Sequence, residues 1–268
     1  MSIPAQMLAY HVPGKDVDIS DLVAQTATVR LPLVKRPETI VIMAGGIGQR
    51  MMPLTKDTPK PMLLLNGQPI LEHILGQMIL QGFHRFVFSI RHLGSKIRDY
   101  FDDGSKWGVT IEYIVEPHRL GTAGSLAYLQ RTDDLPLIVA NADLITDLDY
   151  RKVLECHADD VQVTMCTRQA EFQVPYGVVD AEGDQVTKVT EKPTQSVTIS
   201  AGMYVVSSEF LSFIEKGEHV DMPDLIERAI ARGAKVRSMP IYDRWVDVGR
   251  RINYERVRES LGEGAVIS

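Results

Sequence analysis

The chain has little cysteine: Cys156 and Cys166 are the only two in 268 residues. A disulfide scaffold is excluded at that density, and neither residue has the spacing of a zinc ligand. A reducing, cytoplasmic setting is the expectation. No run approaches the roughly 18 apolar residues of a membrane span, and Pro, His and Asp interrupt MSIPAQMLAYHVPGKDVD too early for a secretory segment. There is no excess of positive charge either. With 29 Lys and Arg against 35 Asp and Glu, the net charge of −6 argues against a nucleic-acid partner. Repeats of 20–50 residues and low-complexity tracts are missing, which removes solenoids and propellers. What remains is a chain 44% hydrophobic and 24% charged, the balance of a globular protein long enough for a sizeable core.

Residues 1–37 read differently from the rest. They contain one weak helical stretch around Ile19, Leu22 and Val23, followed by the extended run TVRLPLVKRP. An N-terminal arm is expected here, with a homodimer contact as its suggested role. From residue 38 to about 265 a single α/β domain is expected. Apolar runs at 39–44, 86–90, 109–115, 135–142 and 161–166 read as buried strands, and 69–83, 95–101, 123–130 and 149–158 as amphipathic helices. That alternation predicts βαβ units in a Rossmann-like, mostly parallel sheet sandwiched by helices. After residue 165 the rhythm becomes β-rich, with a hairpin turning at Glu182-Gly183-Asp184 and a strand at ISAGMYVVS, which predicts a small second lobe. Helices over 221–233 and 250–260 flank a further strand at KVRSMPI.

The most informative segment is AGGIGQRMMPLTKDTPKPM, residues 44–62, directly after a buried strand. Ala44, Gly45, Gly46 and Gly48 let backbone N–H groups approach anionic oxygens, and Gln49, Arg50 and Lys60 add polar and cationic side chains. The Gly-Lys-Ser/Thr ending of a Walker A loop is missing, and Met51 stands where a dinucleotide fingerprint needs its third glycine. Asp143 closes the apolar run LPLIVANAD at what should be a strand's carboxyl end, where open α/β sheets bind ligands. His73 and His157 read as surface or satisfied core groups; His84, His92 and His118 read as loop residues without metal spacing.

GGIGQRMMPLTKDTPKPM closely resembles the GGxGTRLxPLTxxxPKPM stretch of the sugar-1-phosphate nucleotidylyltransferases. The resemblance continues in order through LGTAGSL (120–126), NADLI (141–145), PYGVV (175–179), EKP (191–193), SAGMYV (200–205) and WVDVG (245–249). The wording of FDDGSKWGV and DMPDLIERAI looks like the branch of mannose- or glucosamine-phosphate guanylyltransferases, whose members often carry an N-terminal CBS pair. Residues 1–37 are too short for one, so none is expected.

The resemblance implies a nucleotide-diphospho-sugar transferase fold and a reaction of NTP with sugar 1-phosphate, giving NDP-sugar and pyrophosphate. It implies that Arg50 and Lys60 hold the triphosphate, that Asp143 and Asp247 hold Mg²⁺, and that Lys192 binds the sugar phosphate. Tyr176, Gly177, Glu191 and Ser200 fall on the sugar side, and Gly121 and Thr122 on the nucleotide side. Glu116 sits where the base is read. A carboxylate there suits guanine's adjacent N1–H and N2–H₂ donors, which leans towards GTP, while cytosine with its N4 donor stays open. The chain departs from the family pattern at Gln49 (usually Thr), Met51 (Leu), Ala142 (Gly) and Ser200 (Asn). Two alternatives accompany this reading: a catalytically silent nucleotide-binding relative that regulates a partner, and nucleotidyl transfer to another phosphate such as phosphocholine.

Overall fold

A computed structural model describes residues 34–262. The weak helical stretch around Ile19 and most of the extended run before Val34 lie outside the described residues.

The strands, in chain order, are β1 (Arg36–Met43), β2 (Leu64–Leu65), β3 (Gln68–Pro69), β4 (Phe83–Ile90), β5 (Thr110–Val115), β6 (Leu137–Asn141), β7 (Leu144–Thr146), β8 (Val163–Gln173), β9 (Val178–Glu182), β10 (Gln185–Thr190), β11 (Thr194–Val206), β12 (Val236–Pro240) and β13 (Trp245–Asp247). The α-helices are α1 (Ile70–Leu80), α2 (Gly94–Phe101), α3 (Tyr150–Glu155), α4 (Met222–Ala231) and α5 (Arg251–Gly262). The main sheet runs β12-β8-β11-β6-β1-β4-β5, and every neighbour pair is parallel except the two that β11 makes. It is a mixed sheet.

Alternation along the central strands divides the core in two. Ile40, Ile42, Phe86, Phe88, Ile138 and Ala140 point to one face, where Leu71, Leu75 and Met78 of α1 pack together with Ile97, Val153 and Tyr254 from α2, α3 and α5. Val41, Val87, Leu137 and Val139 point to the other, against Met222, Leu225 and Ala229 of α4. Helices therefore cover both faces, as the run-and-helix alternation predicts. Each fully buried Phe, Leu or Ile on these faces contributes roughly 1.5–3 kcal/mol by removal from water. Pro69 ends β3 and leads directly into α1, its fixed φ suiting a helix start.

The fold departs from the sequence reading at several points. Residues 123–130 do not form an α-helix; only Gly124–Tyr128 is helical, as a short 3₁₀ segment, and a Cβ built on Gly124 would fall 2.3 Å from the Glu218 carbonyl oxygen. The strands expected at 161–166 and 199–207 are longer, and their outer halves pair from Thr194↔Gln173 to Ser200↔Thr167. With the β9–β10 hairpin, which turns at Gly183 as expected, these halves form the β-rich lobe. His84 lies in β4 rather than in a loop, and β1 starts at Arg36, inside the expected arm. No described helix is long and apolar enough to cross a membrane.

Candidate active site

The carboxyl ends of β1, β4, β5 and β6 open into a cleft of about 320 Å³. Its walls include the glycine loop after β1, Lys60, Glu116, Gly121, Thr122 and Asp143. The nucleotide-side residues singled out in the sequence, from Ala44 through Thr122, thus come together in one place. The loop is held by its own contacts: Gly48 takes a left-handed φ of 70°, and the Thr55 hydroxyl donates to the Gly48 carbonyl at 2.9 Å.

Asp143 follows β6, and Asp247 ends β13. They are brought together by the antiparallel pairing of β13 with β7, which sets Asp247 opposite Leu144 and lets the Val248 amide donate to the Asp143 carbonyl at 2.9 Å. Between the two carboxylates lies buried Gly249. A Cβ built on it would fall 2.5 Å from Asp143 Oδ2, 2.7 Å from Asp247 Oδ1 and 3.3 Å from Arg50 Nη2. Two carboxylates and a guanidinium therefore converge over one backbone position that has no side chain. Asp247 Oδ1 also accepts the Gly249 amide at 2.7 Å. The Lys60 ammonium is ion-paired with Asp143 Oδ2, so the loop's second cation sits at the same point. Among the described residues no group of three or more His, Cys, Asp or Glu side chains forms a metal cluster. The carboxylate donor set here is this pair.

Glu116 directly follows β5 and is 7% exposed. The Ser89 hydroxyl donates to its Oε1 at 2.8 Å and the Leu120 amide to its Oε2 at 3.4 Å, while Arg91 Nε stands 3.8 Å from Oε2. Gly45 lies directly beneath it. The Thr122 amide donates to Asp221 Oδ1 at 2.8 Å, and the Thr122 hydroxyl accepts the Met222 amide at 2.8 Å, tying the LGTAG turn to the start of α4.

The sugar-side residues lie elsewhere. Tyr176, Gly177, Glu191, Lys192 and Ser200 belong to the β-rich lobe and are not in the cleft wall. Tyr176 is 74% exposed, and Lys192, with a φ of 44°, is 3.9 Å from an exposed Glu191. Ser200 shares a hydrogen bond with the Tyr204 hydroxyl at 2.8 Å and accepts the Gly202 amide at 3.2 Å.

Sequence reasoning missed Arg91, Arg119, Asn141 and Asp221, all of which line the cleft. Arg91 and Asn141 follow or end buried strands just as Asp143 does, and that position was the available signal. The two bland histidine readings hold: buried His73 is bonded to the Leu65 carbonyl, and His157 to the Thr164 hydroxyl.

Comparison with known proteins gives one consistent answer. Residues 39–263 match the family described as nucleotidyl transferase. The chain is 28% identical over 235 residues to a UTP–glucose-1-phosphate uridylyltransferase of Synechocystis, a match covering 80% of this chain and 61% of that one. It is 30% identical over 233 residues to the mannose-1-phosphate guanylyltransferase of Mycobacterium tuberculosis, covering 84% and 64%. The chain thus spans a little over three fifths of the length of these relatives. Crystal structures of HddC from Yersinia pseudotuberculosis, one complexed with GMP-PN, align with TM-scores of 0.62 and 0.63 at 24% identity, over 83% of this chain and 99% of that one. The architecture is that of the nucleotide-diphospho-sugar transferase fold.

Proposed function

The chain belongs to the nucleotidyl transferase family, and on that premise we propose that it transfers a nucleoside monophosphate from an NTP to a sugar 1-phosphate. The observation that carries the proposal is the convergence of Arg50, Lys60, Asp143 and Asp247 around Gly249, beside a glycine-rich loop at the carboxyl end of the sheet.

The chemistry explains why such residues are needed. An oxygen of the sugar phosphate attacks the α-phosphorus in line and pyrophosphate leaves. The nucleophile is already an anion, so no general base is required. The obstacle is repulsion between two anions and the charge that develops as the leaving group departs. In this reading Lys60 exchanges Asp143 for an α-phosphate oxygen, and Arg50 holds the departing pyrophosphate. The amides of Gly45 and Gly46 line the triphosphate, with Ala44 and Gln49 beside them. Asp143 and Asp247 suit a hard cation such as Mg²⁺, which binds through one or two carboxylates and the substrate's phosphates. When bound there it would draw negative charge from the triphosphate. On the lobe, Lys192 takes the sugar phosphate, Glu191 accepts sugar hydroxyls, and Gly177 with Tyr176 and Ser200 borders the ring.

For the base we favour guanine. Glu116 has about four acceptor positions and spends two of them on Ser89 and Leu120. The remainder suits two adjacent donors. Both a guanylyltransferase and a uridylyltransferase are among the relatives, so the base and the mannose- or glucosamine-type sugar are separate parts of the proposal.

The test is pyrophosphate release with Mg²⁺ across four NTPs crossed with a panel of hexose and hexosamine 1-phosphates. Release with GTP and a mannose- or glucosamine-type phosphate supports the whole reading. Release with another NTP keeps the transfer and overturns the base assignment. No release with any pair overturns the transfer.

A further inference from the structure

The base assignment above rests on Glu116 alone, and the structure places a second charged group beside it. Ile90 pairs with Val115 at the end of β4 and β5, and the Glu116 amide donates to the Ile90 carbonyl at 2.9 Å. Strand register therefore fixes Arg91 and Glu116 as neighbours at the cleft's edge. The Arg91 side chain is 23% exposed and that of Glu116 is 5% exposed. Arg91 lines the cleft, and its Nε is buried without a hydrogen-bond partner. The 3.8 Å approach to Glu116 Oε2 is an ion pair and too long for a hydrogen bond.

A half-buried guanidinium whose Nε has no acceptor is costly unless something supplies one. The ion pair with Glu116 supplies charge but no acceptor in line. Glu116 itself cannot swing over to Arg91, because Ser89 and the Leu120 amide hold its two oxygens. Because that Nε is enclosed, what lines the cleft is another part of the Arg91 side chain, and both residues border the cleft side by side, a cationic group next to the two acceptor oxygens of Glu116.

We propose that Arg91 is a base-selecting residue, which donates to guanine O6 while Glu116 accepts from N1–H and N2–H₂. This deepens the reading that the cleft takes a nucleotide with its base at Glu116, and rests on it. Of the four bases only guanine offers acceptor, donor and donor in that order along one edge. Uracil offers acceptor, donor, acceptor, so its O2 would face a carboxylate oxygen. Adenine and cytosine satisfy this pair in part only. Arg91 thus adds discrimination that a lone carboxylate lacks, since Glu116 by itself also accepts the amino group of adenine or cytosine.

The test is equilibrium binding by titration calorimetry of GTP, UTP and 2-aminopurine riboside triphosphate, which keeps the N2 amino group and lacks O6 and N1–H. Wild type, Arg91→Ala and Arg91→Lys are compared. The expected result is that wild type prefers GTP and that Arg91→Ala weakens GTP by about 10- to 100-fold, the scale of a hydrogen bond to a charged group. The same change should move the 2-aminopurine analogue by less than about threefold, and Arg91→Lys should restore part of the GTP preference. Equal weakening of all three nucleotides would overturn the proposal and make Arg91 a phosphate or structural residue. A wild type that prefers UTP would overturn the guanine reading and this proposal together. Binding is read without turnover, so failure of the transfer reaction leaves this test intact.

Discussion

The Cα of Gly45 sits under the Glu116 carboxylate so closely that a Cβ built on it would lie 2.3 Å from Oε1 and 2.9 Å from Cδ. The glycine loop and the end of β5 thus fit only because residue 45 has no side chain. Glu116 has little room to yield, because Ser89, the Leu120 amide and Arg91 hold it. Gly45→Ala should therefore displace Glu116, lower stability by about 1–3 kcal/mol as overpacking does, and weaken nucleotide binding tenfold or more. Thermal melting and nucleotide titration of the variant check both effects. Unchanged nucleotide affinity would show that Glu116 does not face the ligand.

Gly249 plays the corresponding part between Asp143 and Asp247. A methyl group there would collide with an oxygen of each. Gly249→Ala should spread the two carboxylates and raise the Mg²⁺ concentration needed for half-maximal pyrophosphate release by about 10- to 100-fold, the usual cost of disturbing the surroundings of a metal site. A Mg²⁺ titration of the purified variant reads this directly.

The stretch just before α4 is braced by Glu218. Hydrogen bonding by Arg228 holds the Glu218 carboxyl down at about 2, against an ordinary value of 4.5. A carboxyl depressed in the folded state stabilises above its unfolded value and loses that contribution as it becomes protonated. Wild type should therefore melt higher than Glu218→Gln near neutral pH, and the difference should shrink as pH falls from about 4.5 towards 2. Melting curves of both proteins across that window make the comparison. The position matters because Gly121 and Gly124 pack against the Val220 and Glu218 carbonyls, so this brace supports the cleft wall at Thr122.

The two thiols should behave differently. Cys166 is buried, and loss of hydration pushes its thiol up to about 12, while Cys156 is exposed. A thiol reagent at mildly alkaline pH should label one cysteine in the native protein and two after denaturation. Rapid labelling of both in the native state would contradict the packing around β8.

Much of this was legible in the sequence, for identifiable reasons. Short apolar runs such as TIVIMA and FVFSI bury both faces of their strands, so periodicity alone located them. The glycine loop was readable because its glycines and cations lie close together in the chain, and Asp143 because it closes an apolar run at a strand's carboxyl end. Residues 123–130 misled because AGSLAYLQ has helical periodicity, while the Ala123 and Gly124 amides are tied to the Val220 carbonyl, far away in sequence, and only a 3₁₀ segment follows. The antiparallel insertion of β11 between β6 and β8 is likewise a long-range pairing with no local signal. Arg91 and Asp221 escaped notice because a lone charge in a loop carries no spacing; only the β4–β5 register and the start of α4 bring them to the cleft. For Tyr176, Glu191 and Lys192 the sequence offered a motif, and the structure places them on the exposed lobe, apart from the cleft wall.

The most direct test of the account compares wild type with Asp143→Asn and Lys60→Ala in pyrophosphate release from GTP, Mg²⁺ and the sugar 1-phosphate that wild type accepts. Asp143 and Lys60 share one ion pair at the point where the glycine loop, Arg50 and Asp247 meet. The account predicts that each variant stays folded, with a cooperative melt, and loses at least about 99% of turnover, the scale of removing one preorganised charge from a transition state. Near-wild-type rates in either folded variant would contradict the claim that this cleft performs the transfer.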